Sequence, residues 1–322
     1  MRPTSLFLPT ICAAGLSNAI YIIKDSYNQT NFFDGFSFFS GGDPTHGFVA
    51  YQTAISSNNS QLAGYSEGGT IYLGVDSTTV KPKGGRQSTR LESKKSWTKG
   101  LFVADVRHMP GNACGIWPAF WTFGETPTQP WPQMGEIDIL EGVNTQTNNS
   151  VTLHTSPGCT ISSHGTSPLS TLQGSNCEGT TGCTSHSNNP SSYGDAFNAG
   201  GGGVYAMEWT SSFIAVYFFP RSSIPSDLRD VNGTPDPRGW GAPMARFSGE
   251  EGGCDVEKHF KDHKVVFNTA FCGDWAGTRE SWEADGRCSA LAGTCREYVE
   301  MHPEAFGEGY WLISSVRVFE EG

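Results

Sequence analysis

The sequence predicts an all-β protein, a sandwich or barrel of antiparallel strands. Short apolar segments recur along the 322 residues at regular spacing, and polar turns separate them. The chain holds 40 glycines and 18 prolines, the residues that many tight turns require. Such spacing is typical of sandwiches and barrels rather than of alternating α/β folds. We find no internal repeat and no long linker in the sequence, so we expect a single domain over residues 20–322.

Each strand is predicted from β-branched, aromatic or alternating residues between turn signals. In chain order the expected strands are 20–23, 36–39, 48–51, 71–75, 89–93, 100–106, 135–144, 151–155, 204–209, 213–220, 264–271 and 310–319. Residues 56–69 are expected to form a polar connection, and 295–306 to include a short helix. Residues 156–203 are long for a loop without structure, and three cysteines are expected to hold them.

Charge and targeting signals narrow the function class. The net charge is −11 with 16% charged residues, which argues against nucleic acid and anionic membranes as partners. Residues 1–19 have the features of a signal peptide: Arg2, a short apolar core and the small residues Ser17 and Ala19 at a cleavage site. We therefore expect a secreted, extracellular protein.

The cysteines fit the same compartment. Cys12 falls inside the expected signal peptide, and the remaining eight cysteines predict four disulfides. Eight cysteines allow many pairings, so the sequence leaves the connectivity open. Four glycosylation acceptors also suit a secreted chain; they are Asn28, Asn58, Asn148 and Asn232.

Two motifs point to other chemistries, and their context argues against both. Ser66 lies in a G-x-S-x-G pattern, but a nucleophile elbow needs a helix after it, and a strand is expected there. His259 and His263 are four residues apart, yet Phe260 stands where a zinc protease motif requires Glu. We expect a solvent-exposed histidine pair and no metal site.

The stretch at residues 135–144 carries the strongest chemical signal. Glu136, Asp138 and Glu141 alternate with apolar residues in a strand-like segment. On a regular strand Glu141 would face away from Glu136, but one extra residue, a β-bulge, would return it to the same face. Two such carboxylates suit a retaining glycosidase, with one as nucleophile and one as acid/base. The alternative is an acidic edge strand that resists aggregation.

Tryptophans near this stretch suggest a ligand surface. Trp131 and Trp275 lie in polar loops, and Trp121 precedes the acidic stretch. Sugar rings stack their apolar faces on exposed indoles, so we expect these three residues to form a sugar-binding platform. Trp117 is expected in the core.

The residues resemble a known family. The spacing of Glu136, Asp138 and Glu141 matches the E-x-D-x-x-E signature of glycoside hydrolase family 16 in its bulged form, and the chain is similar to secreted fungal endo-β-1,3(4)-glucanases (laminarinases). Further matching segments, in the same order as in the family, are 43–47, 86–90, 105–110, 117–119, 152–155, 201–207, 218–221, 272–277 and 315–318. Residues 124–130 and 221–253 depart from the pattern, which leaves open the balance between β-1,3 and mixed-linkage glucan.

The resemblance implies a concanavalin-like β-jelly-roll sandwich of two antiparallel sheets with a concave substrate cleft. It implies an endo-acting, retaining glucan hydrolase without cofactor or metal, acting as a monomer on β-glucan. A cell-wall glucan transglycosylase or a non-catalytic lectin on the same fold are the alternatives. The implied roles are nucleophile for Glu136, acid/base for Glu141, support by Asp138 and His154, and substrate binding by Arg90, Trp121, Trp131 and Trp275.

Overall fold

Two large antiparallel sheets of eight strands each form the body of the protein, which confirms the predicted all-β sandwich. The computed structural model describes residues 21–162, 166–231, 233–249 and 253–322. The expected signal peptide and the acceptor Asn232 lie outside the described residues. No helix in the described ranges is long and apolar enough to span a membrane.

The strands follow the predicted alternation of apolar and polar residues. They are β1 (Tyr21–Asn28), β2 (Phe36–Phe38), β3 (Val49–Tyr51), β4 (Ala63–Tyr65), β5 (Ile71–Leu73), β6 (Arg86–Ser88), β7 (Arg90–Ser93), β8 (Gly100–His108), β9 (Ile116–Phe123), β10 (Glu136–Glu141), β11 (Ser150–His154), β12 (Ser170–Leu172), β13 (Cys183–Ser187), β14 (Gly203–Trp209), β15 (Phe213–Pro220), β16 (Ala245–Ser248), β17 (Lys264–Phe271) and β18 (Trp311–Glu321).

The acidic strand β10 belongs to one of the two sheets, which we call the front sheet. The front sheet has the order β12-β13-β11-β10-β9-β17-β7-β2, so the acidic strand β10 lies near its centre. The back sheet has the order β16-β15-β14-β8-β18-β5-β4, with β1 also paired to β18. β3 and β6 form a separate parallel pair. The main apolar core joins front-sheet residues such as Ile137 and Phe267 to back-sheet residues such as Phe102 and Met207. The outer face of the front sheet is thereby left for polar groups.

The helices are short and lie in the connections. They are α1 (Phe32–Gly35), α2 (Ala54–Asn59), α3 (Gly194–Ala199), α4 (Ser226–Arg229), α5 (Val256–His259), α6 (Gly273–Ala276), α7 (Arg279–Glu283) and α8 (Cys295–Met301). Side chains of Thr53, Thr278 and Thr294 cap three of them by accepting a backbone N–H in the first turn. The predicted helix within 295–306 is confirmed as α8, followed by a 3₁₀ turn.

All four predicted disulfides form, and the fold decides their pairing. The pairs are Cys114–Cys288, Cys159–Cys254, Cys177–Cys183 and Cys272–Cys295. Two of them hold residues 156–203, as expected. That segment is more ordered than a loop, because β12 and β13 extend the front sheet beyond β11.

Two expectations from the sequence are wrong. Residues 56–69 are not a plain connection, since they include the end of α2 and all of β4. His259 and His263 are not solvent-exposed: both are fully buried. His263 contacts the hydroxyl of Thr122 and the carbonyl of Met134 through its two ring nitrogens, so burial of an imidazole is compensated by polar partners. Ser66, as expected, lies in a turn between two strands.

Candidate active site

A β-bulge in β10 brings three carboxylates to one face of the front sheet. Residues directly opposite each other on antiparallel strands share a face. The partners of Glu136, Asp138 and Glu141 on β9 are Phe123, Trp121 and Ala119. Those three β9 residues alternate with core residues and so share one face. The register shifts between Asp138 and Leu140, which confirms the predicted bulge.

The apolar residues of β10 explain why the bulge forms there. Ile137, Ile139 and Leu140 are all fully buried in the core between the sheets. A regular strand would turn either Ile139 or Leu140 to the polar face. The extra residue lets both remain in the core, and it returns Glu141 to the face of Glu136.

Glu136 is half-buried and has one close hydrogen-bond donor. The indole N–H of Trp131 donates to its Oε2 at 2.6 Å. Burial and the neighbouring carboxylate of Asp138 raise the pKa of Glu136 to about 8, against the opposing effects of His154, the Trp131 hydrogen bond and Arg90. The ionised form of Glu136 thus has two cations and an indole N–H in its surroundings.

Glu141 is more deeply buried, with 8% of its surface exposed. Its Oε1 accepts a 2.8 Å hydrogen bond from the indole N–H of Trp117. Burial and the charge of Asp138 raise the pKa of Glu141 well above its usual range, and Glu136 adds to the effect. Glu141 therefore holds a proton under conditions in which an ordinary glutamate is ionised.

His154 lies between a carbonyl and a carboxylate. Its Nδ1 is 2.8 Å from the carbonyl oxygen of Gly179, and its Nε2 is 3.4 Å from Oδ2 of Asp138. A carbonyl only accepts hydrogen bonds, so Nδ1 carries a proton, and a second proton on Nε2 faces the carboxylate. Burial lowers the pKa of His154, but Asp138 and Glu136 outweigh it and raise the pKa to about 10.

The same three groups are the described residues best placed to hold a metal ion. One ligand atom each from Glu136, Asp138 and His154 lies within 4.8 Å of the other two. A metal would require the neutral imidazole as ligand. In the structure Nδ1 of His154 faces the carbonyl of Gly179 and Nε2 faces Asp138, so the three groups form a charge network.

The predicted substrate-binding residues surround the carboxylates. Arg90 on β7 stacks on Trp121, with its guanidinium carbon 5.0 Å from the ring centroid, and pairs with Glu92 at 2.9 Å. Trp275 in α6 meets Trp117 edge to face, with centroids 5.6 Å apart. Trp131 approaches His154 with centroids 6.0 Å apart. Trp121, Trp131 and Trp275 are each half-buried, so the indoles border the polar face on both sides of Asp138.

Several residues of the site were not predicted from the sequence. Trp117 is half-buried and packs against a buried apolar cluster, in line with its expected place in the core, but its indole N–H also donates to Glu141. Its position four residues before Trp121 puts both on one face of β9, which was the available signal. Asn268 accepts from the indole N–H of Trp121 at 2.7 Å and donates to the hydroxyl of Tyr51 at 3.0 Å. Nothing local in the sequence identifies these partners.

Comparison with known proteins identifies the family. Residues 36–319 match the family model for the XgeA-like, catalytic GH16 domain. The chain belongs to glycoside hydrolase family 16. Over its full length it is 43% identical to an endo-1,3(4)-beta-glucanase of Arthroderma benhamiae, of which it covers 69%. The chain spans about half the length of most of the curated relatives it matches. It covers 48% of the relative from Aspergillus fumigatus, for example.

Solved structures of this family share the fold. An elongating family 16 β-1,3-glucosyltransferase is 42% identical, with a TM-score of 0.84 over 93% of this chain and 100% of that chain. Laminarinase 16A of Phanerochaete chrysosporium, solved with 6-O-glucosyl-laminaritriose in donor and acceptor sites, is 38% identical with a TM-score of 0.86 over 94% and 100%. The sandwich of this family 16 chain is thus the jelly roll of the laminarinases.

Proposed function

We propose that this protein is a retaining endo-1,3(4)-β-glucanase. The observation that carries the proposal is the bulged strand, which sets Glu136 and Glu141 on one face with Asp138 between them. Curated relatives bear the name endo-1,3(4)-beta-glucanase, and a structural neighbour binds branched laminaritriose. Half-buried indoles on both sides of the carboxylates suit a polymer that lies across the sheet.

In the proposed reaction the Glu136 carboxylate attacks the anomeric carbon while Glu141 protonates the departing glycosidic oxygen. The bond to the leaving sugar breaks, and a covalent glycosyl-enzyme forms through Glu136. Glu141, now ionised, takes a proton from water, whose oxygen displaces Glu136 from the same carbon. Two inversions give net retention of configuration, and Glu141 regains its proton.

The electrostatics support this division of roles. Burial and Asp138 raise the pKa of Glu136 to about 8 and that of Glu141 well above its usual range. Arg90 and His154 favour the ionised form of Glu136, which suits the nucleophile, and the raised pKa of Glu141 suits the acid. Asp138 and His154 support the pair by holding a fixed charge network beside Glu136.

Product analysis on laminarin and lichenan tests the proposal. We expect internal cleavage with release of oligosaccharides, and near-complete loss of turnover in Glu136→Gln with binding retained. Glu208→Gln is the matched control, because Glu208 is a partly buried back-sheet glutamate that accepts a hydrogen bond from Tyr21. If the unmodified protein releases no new reducing ends from either polymer, the proposal is wrong.

A glucan transglycosylase is the second candidate, and one comparison favours it. The neighbour with 42% identity is an elongating β-1,3-glucosyltransferase. The two reactions share the glycosyl-enzyme and differ in whether water or a sugar hydroxyl displaces Glu136. Incubation with laminarin oligosaccharides alone separates them, since products longer than the donor identify transfer.

We further propose that the protein acts outside the cell as a monomer on β-glucan, and that residues 20–322 form one catalytic domain. Four disulfides support an oxidising compartment. Fractionation of the producing cells and light scattering of the purified protein test location and oligomeric state. Retention inside the cells or a stable dimer would contradict these two proposals.

A further inference from the structure

The bulge leaves two backbone groups of β10 outside the regular ladder, and one side chain binds both. Oδ1 of Asn149 accepts a 2.8 Å hydrogen bond from the backbone N–H of Glu141. Nδ2 of Asn149 donates a 2.8 Å hydrogen bond to the carbonyl of Ile139. The register toward β11 breaks between Asp138 and Glu141, where a bulge leaves ladder groups unpaired. The amide of Asn149 replaces the missing ladder bonds.

Asn149 is itself held in one orientation. It is fully buried directly before β11. Its backbone N–H donates to Oγ of Ser192 at 3.0 Å, and its carbonyl accepts from the backbone N–H of Ser187 at 2.9 Å. Every polar group of the residue thus has a partner, and rotation of the amide would leave several buried groups unpaired.

The requirement is specific for an amide of this length. The two backbone groups need one acceptor and one donor on the same side chain. Aspartate lacks the donor and would add a negative charge close to Asp138 and Glu141. Alanine lacks both, so that Ile139 and Glu141 would each keep an unpaired backbone group, and the strand could relax toward a regular register that turns Glu141 away.

We propose that Asn149 is a positioning residue for the acid/base group: it clamps the bulge that directs Glu141 to the face of Glu136. The inference rests on the proposed function, and Asn149 acts without touching the substrate. Trp117 holds the carboxyl end of Glu141 through a 2.8 Å hydrogen bond, and Asn149 holds its backbone. The clamp therefore matters most for steps in which Glu141 transfers a proton.

The test compares two substrates in Asn149→Ala. A laminarin oligosaccharide has a sugar leaving group that needs the proton of Glu141. In a dinitrophenyl laminaribioside the leaving group is dinitrophenolate, which departs without a proton. We expect kcat/KM for the oligosaccharide to fall by about 100-fold and kcat/KM for the dinitrophenyl substrate to fall by less than about 10-fold, in line with loss of general acid catalysis. The burst of dinitrophenolate counts the folded active sites.

The matched control is Asn198→Ala. Asn198 bridges the backbone N–H and carbonyl of Met109 with bonds of 3.0 and 2.8 Å, the same pair of contacts at a distance from the carboxylates. Asn198→Ala should change kcat/KM for neither substrate. If Asn149→Ala does not fold, Asn149→Ser serves, because it adds no charge and its shorter side chain with a single hydroxyl cannot bridge both backbone groups. Equal losses on both substrates, or no loss on either, overturn the inference, whereas inactivity of the unmodified protein overturns the proposed function instead.

Discussion

The indole N–H of Trp131 donates a 2.6 Å hydrogen bond to Oε2 of Glu136. Trp117 makes the corresponding bond to Glu141 at 2.8 Å. Each buried glutamate therefore has one indole donor, but Glu136 has Arg90 as an additional cationic neighbour, whereas Glu141 is affected by both other carboxylates. This asymmetry favours the ionised form at Glu136 and the protonated form at Glu141.

Removal of the Trp131 donor should move the acid limb of the pH profile. The hydrogen bond lowers the pKa of Glu136, so in Trp131→Phe that pKa rises and less of the proposed nucleophile is ionised at acid pH. A hydrogen bond to a charged group contributes about 1.5–3 kcal/mol, so we expect the acid limb of kcat/KM to shift upward by about one to two pH units. Trp240→Phe, which removes an indole donor to Asp227 on the back-sheet side, should leave it unchanged. An unmoved limb in Trp131→Phe would count against the role of this bond.

Protein stability should fall as the pH rises from mildly acid to alkaline. The native pKa of Glu136 is raised from 4.5 to about 8, and that of His154 from 6.5 to about 10. A raised native pKa means that the native state binds the proton more tightly, so its contribution is complete below the unfolded pKa and is lost through the native one. We expect the free energy of unfolding to decline between about pH 4.5 and 10. Each group contributes about 1.4 kcal/mol to the total decline for each unit by which its pKa is raised.

Denaturant titrations at several pH values measure this decline. Glu136→Gln should make the decline between about pH 4.5 and 8 less steep, because the variant has no carboxyl group there to bind a proton, while Glu141 and His154 still titrate. Glu283→Gln in the exposed helix α7 should retain the slope of the unmodified protein. A stability that rises over this interval would contradict the assigned directions.

Azide should distinguish the roles of the two glutamates. In Glu141→Ala, with a dinitrophenyl glucoside, azide displaces Glu136 from the glycosyl-enzyme and gives a β-glucosyl azide. In Glu136→Ala, azide attacks the substrate directly from the other face and gives an α-glucosyl azide. Without azide, we expect Glu141→Ala to lose about 10²- to 10⁴-fold in kcat on laminarin. Proton NMR of the products decides, and exchanged anomers would reverse the assignment.

The disulfide loop beside His154 should be sensitive to substitution at Gly182. Gly182 has φ +64, and a methyl group there would lie 2.6 Å from the carbonyl oxygen of Leu153 and 2.7 Å from the ring of His154. Gly84, which precedes β6, has φ +77 with nothing within 4 Å of such a group. Gly182→Ala should displace His154 and reduce kcat about tenfold or more, since small misplacements of a site are costly.

Gly84→Ala is the matched control, because it carries the same backbone strain of about 1 kcal/mol without the contact. It should lower the thermal midpoint slightly and leave kcat unchanged. Steady-state kinetics and thermal unfolding of both variants check the prediction, and equal kcat values would show that the position of His154 does not matter.

Much of the fold and the centre of the site could be predicted from local patterns. The alternation of side chains marked most strands, and the spacing of Glu136, Asp138 and Glu141, with Glu141 out of phase, indicated the bulge that the register confirms. These features depend on neighbours along the chain, and a side-chain period of two is a property of any strand. The eight cysteines that follow the expected signal peptide likewise predicted four disulfides.

The tertiary structure alone decided which distant groups meet. It paired Cys114 with Cys288 across 174 positions of sequence, turned the indole of Trp117 toward Glu141, and set Asn149 against the bulge. It also buried His263, which the sequence pattern placed in solvent. The physical reason is that burial, electrostatic coupling and hydrogen-bond partners are properties of the packed sheets, and no pattern within a single strand records which residues of another strand will lie beside it.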